Sequence, residues 1–429
     1  MIGRLRVLGS SDFARHGALV FGSMTLINAL GYAFHFAISR KVGVEQYGVL
    51  ASLNAGYMLG MVASSIAGTV VVKYAAEFRA LGDTTHLAAL VRRLCVYGVV
   101  LALAFIALGL ACAPAIAGYL KIGNVPAVSL CLVVMGISIV TPTLRAVFTG
   151  VEDFRTMSVS GVMESTFKAV FGIGMVYAGY GVVGAFGGWA VGSFITLAFT
   201  MGVLLTRYRR MPESALFIDA RRLVQTMAGV SAATVLLTAI SYTDVIIVKH
   251  YADPTTAGLY GALSLSGKIL LFLVGFVPTV LLPKASRRAL AGESPSGILA
   301  AAMALVFLFS GNGLAGYYVF PGFVITTLAG ASFAPAAPYV FSYGIAMVLL
   351  AALSTVATYK IGIHRYDFVW PLGICTILEL GGIAFYHASL SQIVGVLIAG
   401  NAAALLTSVY RINAPLRTVG AAQPSNAAA

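Results

Sequence analysis

The sequence predicts an all-α polytopic membrane protein with twelve transmembrane helices, in two six-helix bundles around a central cavity. Three observations predict it. The first is composition: of 429 residues, 59% are hydrophobic and 10% charged, with a mean hydropathy of +0.94. Soluble domains carry about a quarter charged residues, so a water-soluble enzyme is excluded. The second is a series of twelve apolar runs, each near the ~20 residues that a ~30 Å hydrocarbon core requires. The third is the way basic residues fall into alternate connections between those runs.

In chain order, the first run is 17–39, ending at Arg40-Lys41, and the second is 48–72, ending at Lys73. The first run is too long for a signal-peptide core and no small-residue cleavage site follows it, so it is expected to stay attached. Runs 94–118 and 126–148 flank Lys121, and the fourth exits into Gly150-Val-Glu-Asp-Phe154. Runs 157–178 and 182–205 complete the first half, 17–205. The second half, 225–411, holds runs at 225–248, 258–282, 297–320, 338–358, 368–386 and 392–410. The runs are apolar all round rather than alternating, which selects helices over a β-barrel. Outside the halves lie an N-terminal segment 1–16, a basic linker 206–224 and a tail 412–429 expected to be disordered.

Twelve crossings put both termini on one side, and Lys and Arg decide which. On that count 21 of the 27 basic residues share the side of the termini, including Arg79, Arg145, Arg207 and Lys360. Arg40, Lys41, Lys121 and Lys249 fall opposite, while Lys168 and Lys268 fall inside runs. Both termini are therefore expected in the cytoplasm and the protein in the cell membrane. The net charge of +13 becomes a topology label suited to anionic lipid headgroups, and a nucleic-acid role is excluded. Cys95, Cys112, Cys131 and Cys375 fall within or beside runs without CxxC spacing and read as small apolar residues.

The chain also repeats at the scale of its halves. Tyr47-Gly48 returns as Tyr260-Gly261, Gly150-Val-Glu-Asp-Phe154 as Gly362-Ile-His-Arg-Tyr366, and Val183-Gly184 as Val394-Gly395. The near-equal offsets occur in chain order. Six crossings per half give both halves the same orientation, the arrangement of transporters that rock one half against the other around an interfacial cavity. Gly184, Gly188 and Gly192 form overlapping GxxxG spacings that allow close helix packing. No GK[ST] follows this glycine-rich stretch, so it is not a phosphate-cradling loop, and ATP drive within the chain is not expected.

Arg40-Lys-Val-Gly-Val-Glu-Gln-Tyr-Gly48 resembles the "LGxxxYG" signature of Wzx-type polysaccharide flippases, of the multidrug/oligosaccharidyl-lipid/polysaccharide exporter superfamily. Lys73-Tyr-Ala-Ala-Glu-Phe-Arg-Ala-Leu-Gly-Asp83 resembles their "RYxAEYRAxGD" stretch. Asp244-Val-Ile-Ile-Val-Lys249, Ala257-Gly-Leu-Tyr-Gly261 and Pro283-Lys-Ala-Ser286 are similar to the corresponding second-half pattern. Ala257-Gly258 departs from the usual acidic-Gly pair, and Gly-Val-Glu-Asp-Phe from the commoner basic loop. The resemblance implies a non-enzyme that moves a polyprenyl-diphosphate-linked oligosaccharide from the inner to the outer leaflet. Other polysaccharide-assembly membrane proteins are then expected partners beside the membrane lipids.

An ionisable residue at the bilayer centre costs ~3 kcal/mol or more, so each needs a partner or a wet cavity. Lys168 and Lys268 lie near mid-run and are the candidate substrate-binding cations, a Lys ammonium being a compact counter-charge for a diphosphate. Glu164 precedes Lys168 by one turn, the favourable order for an ion pair, and Glu379 is the candidate partner of Lys268. Asp244, Glu164 and Glu379 are candidates for charge balance or for coupling to Na+ or H+; no other cofactor is expected. Asn28, Asn312 and Asn401 are intramembrane amides, of which Asn28 and Asn401 join the candidate substrate contacts. Arg40 is a candidate receiver for the emerging headgroup.

Two other functions compete. A cation-coupled multidrug antiporter of the same superfamily would use acidic and aromatic residues, and Lys168 and Lys268 would repel its ligand. A membrane-embedded glycan polymerase or ligase would need catalytic groups outside; the largest outer loop, 321–337, has no charged residue and no His.

Overall fold

The computed structural model describes residues 10–212, 220–290, 296–410 and 412. Every regular element among them is helical. In order these are α1 (Ser10–Ala80), α2 (Thr84–Tyr119), α3 (Val125–Gly150), α4 (Phe154–Met175), a π-type turn Val176–Tyr180, α5 (Gly181–Tyr208) and α6 (Ala220–Tyr251). There follow α7 (Pro254–Leu273), α8 (Phe276–Leu290), α9 (Ser296–Val319), α10 (Pro321–Ala329), a 3₁₀ turn Ala331–Ala336, α11 (Ala337–Gly362), α12 (Val369–Phe385) and α13 (Leu390–Val409). Residues 1–9, 213–219 of the linker, 291–295, 411 and 413–429 lie outside the described residues, so the expectations for most of the N-terminal segment, part of the linker and nearly all of the tail fall outside them.

Among the described residues, nine helical stretches are long and apolar enough to cross a membrane, and each coincides with one or two of the expected runs. Gly17–Ala80 has 64 residues and Phe154–Tyr208 has 55, each long enough for two passages. Both are broken. Gly43 has φ 76° and ψ 175°, which stops the helix between the first two runs, and Gly179 at φ 99° does the same between the fifth and sixth. Large apolar side chains point outward along the stretches, Phe21, Leu108, Phe194, Phe307 and Leu406 among them. That surface suits hydrocarbon rather than water.

Two expectations are corrected. The eighth run is not one helix: it breaks at Val274–Gly275 between α7 and α8. The outer loop 321–337 is not a loop, since α10 and the 3₁₀ turn fill it; the nine residues Pro321–Ala329 make a helix too short for a run-length criterion to find.

Local capping ends the helices where they must turn. Asp83, Asp153 and Asp253 each accept the backbone N–H three residues on and start α2, α4 and α7. The repeat motif has a physical counterpart in the turns after α3 and α11. Glu152 N donates to Thr149 O and Asp153 N to Phe148 O, while His364 N donates to Ile361 O and Arg365 N to Lys360 O. Glu152 (φ 56°) and His364 (φ 54°) both take the left-handed conformation that this turn requires.

Helices α1–α5 pack as one group and α6–α13 as another, with α1 forming the bridge to α6, α7 and α10. Contact across the groups uses the repeated glycines. A Cβ on Gly48 would lie 2.9 Å from Gly258 N, one on Gly258 would strike the Val44 carbonyl, and one on Gly261 would lie 2.8 Å from Ala51. The two Tyr-Gly motifs thus let α1 and α7 meet backbone to backbone.

Candidate functional site

A cavity of about 250 Å³ lies between the two helix groups. Its lining includes Asn28, Tyr32, His35, Asn54 and Lys168 from α1 and α4, and Tyr242, Ser264 and Lys268 from α6 and α7. Both mid-run lysines therefore meet the same space, one from each half. Among the described residues no Asp or Glu lines it. Among the described residues neither lysine has a carboxylate within salt-bridge distance.

Aromatic faces hold the ammonium groups instead. Lys168 Nζ sits 3.5 Å from the Trp189 ring and 4.7 Å from that of Phe34, and Lys268 Nζ sits 4.1 Å from the Tyr242 ring. An aromatic face attracts a cation without neutralising it, so the positive charge stays available to a ligand. The GxxxG spacing builds the first of these sites. Cβ atoms on Gly184 and Gly192 would lie 2.8–2.9 Å from α4 or the turn after it, and one on Gly188 would strike Gly172 N. The resulting close approach of α5 to α4 lays Trp189 over Lys168.

The expected ion pairs are not those formed. Glu164 pairs with Arg145 at 2.5 Å rather than with Lys168. Arg145 was counted with a cytoplasmic connection, yet it lies inside α3, where it also donates to Ser160 at 3.2 Å. A bidentate-capable guanidinium on a facing helix outcompetes a lysine on the same helix face. Glu379 does not pair with Lys268 either. Its side chain is 2% exposed on α12 and packs against Gly400 of α13, with neither carboxylate oxygen bonded to any described residue.

Asp244 is 1% exposed, and α6 continues past it to Tyr251, beyond the run's expected end at 248. Tyr260 Oη donates to Asp244 Oδ2 at 2.5 Å, and the Tyr260 and Tyr343 rings pack edge to face at 5.7 Å. Asp244 Oδ1 has no partner among the described residues. Asp244 and Glu379 are therefore two buried carboxyls with unfilled oxygens inside the second half, off the cavity wall.

The amides separate. Asn28 lines the cavity, whereas Asn401 is fully buried in α13, donates to Leu397 O at 3.0 Å and does not reach it. Asn312 is exposed and donates to Leu308 O. Arg40 is corrected as well. Its guanidinium donates to the carbonyls of Thr327 (2.7 Å), Thr326 (3.3 Å) and Leu328 (3.5 Å), capping the C-terminus of α10, and it stacks on Phe36. Helix-end carbonyls carry partial negative charge, and α10 was the element that the sequence did not announce.

Arg40 belongs to a closure between the halves. At the same end, His250 lies 2.5 Å from Tyr119 O through Nδ1 and stacks on the Tyr119 ring at 4.1 Å, and Thr255 donates to Glu45 at 3.4 Å. Gly48 meets Gly258 there too. At the opposite end, the ion pairs Arg79–Glu152, Arg207–Asp153 and Lys360–Asp367 each stay within one half. The halves are tied together at the Arg40 end.

The sequence reading passed over His35, Tyr32, Asn54 and Tyr242. Asn54 and His35 carried a visible signal, a polar group within an apolar run; the tyrosines carried none, since Tyr is common at membrane depth.

No protein-family model matches the chain, and neither does any curated protein. Solved structures do. An inward-facing multidrug resistance MATE family transporter of the MOP superfamily superposes with a TM-score of 0.74 at 13% identity, covering 90% of this chain and 92% of that one. This chain shares the fold of that structure. The lipid II flippase MurJ in an inward closed conformation gives 0.66 at 14% identity over 92% and 87%. A MOP superfamily transporter from Pyrococcus furiosus, described as having a binding pocket of reverse polarity, gives 0.55 at 13% over 94% and 96%. These similar structures are transporters and flippases rather than enzymes.

Proposed function

We propose that the chain translocates a polyprenyl-diphosphate-linked oligosaccharide across the cytoplasmic membrane by alternating access, in the assembly of a cell-surface polysaccharide. One observation carries the reading: Lys168 and Lys268, one from each half, face a single cavity with no acidic residue in its wall. Two cations around a desolvated space attract a multiply charged headgroup and repel a cationic drug. Counting each part of the two broken stretches and the shorter Val369–Phe385 gives twelve crossings. With the basic-rich end in the cytoplasm, the Arg40 end is outside and this conformation opens inward. Rocking the halves would then break the contacts of Arg40, His250 and Glu45 and expose the cavity outward.

The buried carboxyls of Asp244 and Glu379 are the place for a coupling Na+ or H+, because their unfilled oxygens lie in one half and off the cavity wall. A multidrug antiporter remains the second reading on the strength of those same carboxylates. They do not line the cavity, so they would serve the coupling ion under either reading. The test is deletion of the gene with extraction of membrane lipids. Polyprenyl-linked glycan accumulating on the cytoplasmic side supports the flippase; altered drug sensitivity without accumulation supports the antiporter. Lys268→Ala should reproduce the deletion while the protein still inserts, and unchanged export removes Lys268 from the mechanism.

A further inference from the structure

The cavity holds a third group whose chemistry the two lysines do not duplicate. His35 lines it from α1, within electrostatic reach of both Lys168 and Lys268. Its Nδ1 lies 3.2 Å from Tyr47 Oη, and that contact is the hydroxyl's hydrogen bond among the described residues. The direction of this bond follows from accounting. Tyr47 is 1% exposed; were the imidazole to donate, a buried hydroxyl proton would have no acceptor, which costs about 1–3 kcal/mol. The hydroxyl therefore donates, Nδ1 accepts, and an imidazole with a lone pair on Nδ1 carries its proton on Nε2.

The ring is also held in place. Phe34 packs on it edge to face at 5.5 Å and Tyr47 at 6.1 Å. Tyr47 itself packs on Phe333 from the other half at 5.4 Å, so the arrangement belongs to the state closed at the Arg40 end. The lysines are compact charges on flexible stems and attract an anion without fixing its direction. A rigid N–H donor in the same cavity supplies what they lack.

We propose that His35 is a directional hydrogen-bond donor to a phosphoryl oxygen of the headgroup, and that Tyr47 is the positioning residue that sets its tautomer. The inference rests on the flippase reading above. It adds a neutral donor to a site otherwise made of charges, and so favours a phosphoryl oxygen held at a set angle over an anion held by charge alone.

The probe is farnesyl diphosphate, titrated calorimetrically into the full chain in detergent, with farnesol as the uncharged control. His35→Leu should weaken binding about 10- to 100-fold, the loss of one hydrogen bond to a charged group. His35→Gln, whose amide N–H can reach the place of Nε2, should stay within about threefold of wild type. In ¹⁵N-histidine-labelled wild type, the signal absent from His35→Gln should show Nδ1 unprotonated and Nε2 protonated, and Tyr47→Phe should mix the two tautomers. That spectrum needs no variant to bind ligand. Binding by wild type and its loss in Lys268→Met, but not in His35→Leu, overturns this inference alone, as does a His35 signal with the proton on Nδ1. No preference of wild type for the diphosphate over farnesol overturns both readings.

Discussion

Replacing Trp189 tests whether an aromatic face, rather than a carboxylate, is what keeps a charged lysine in the cavity. The Lys168 ammonium lies 3.5 Å from the Trp189 ring. A cation over an aromatic face contributes about 0.5–1 kcal/mol when exposed and ~2 kcal/mol when desolvated. Trp189 also packs on Tyr57 at 4.5 Å, Phe186 at 5.8 Å and Phe34 at 6.3 Å, pairs worth ~0.5–1.5 kcal/mol each. Trp189→Leu should therefore cost about 3–5 kcal/mol, and Trp189→Phe, which keeps a ring, about 1–2 kcal/mol. The total mixes packing with charge, so the informative quantity is the coupling in a double-mutant cycle with Lys168→Met. Unfolding free energies in mixed micelles should give a coupling of about 1–2 kcal/mol. A coupling below about 0.3 kcal/mol refutes the argument that the ring holds the ammonium.

Three further outcomes are expected. Arg40→Ala removes the carbonyl contacts at the end of α10, worth about 1–3 kcal/mol to the closed state. Spin labels at Gly123 and Thr255 should then show a larger share of long distances, and an unchanged distribution would mean that Arg40 does not hold the closure. Glu379→Gln replaces a buried carboxyl whose oxygens have no partner with a group that cannot ionise, so thermal stability should hold or rise while transport loses its dependence on the Na+ or H+ gradient; intact dependence places the coupling elsewhere. Partial burial raises the Asp153 carboxyl, but Arg207 and the Thr156 hydrogen bonds outweigh it and hold its pKa below the usual 3.8. Such a group contributes stability above pH ~3.8 that is lost as pH falls through the depressed value. Asp153→Asn keeps the helix cap, so its melting temperature should be lower at neutral pH and should fall less steeply below about pH 4 than that of wild type; parallel curves remove the ion pair from the stability account.

Hydropathy made the membrane helices legible because each run is long and apolar all round, and Gly43 and Gly179 divide the two longest helices where the runs had gaps. The repeat was legible because the Tyr-Gly motifs do a job that only small residues can do, letting α1 and α7 touch. The pairing of charges was not. Spacing on one helix pointed Glu164 at Lys168, while its partner Arg145 comes from α3, and no periodicity along a chain encodes which neighbour a helix packs against. Glu379 and Lys268 were matched by depth, but depth places residues in a plane and not on the same wall. Arg40 was misassigned for a related reason: α10, with nine residues, is below the length that a membrane run requires, so its C-terminal carbonyls were not in view. His35 was not among the sequence candidates, and its hydrogen bond in the cavity comes from a tyrosine beyond the break at Gly43.

Reconstitution into vesicles tests the central claim most directly. A fluorescent polyprenyl-diphosphate disaccharide is incorporated, and its outer-leaflet fraction is followed by quenching with membrane-impermeant dithionite. The account predicts protein-dependent translocation that falls by at least about 10-fold in Lys168→Met and Lys268→Met, the loss of about 1.4 kcal/mol or more of headgroup binding. Wild-type vesicles that leave the lipid where it was, while expelling a cationic dye against a proton or sodium gradient, would contradict it.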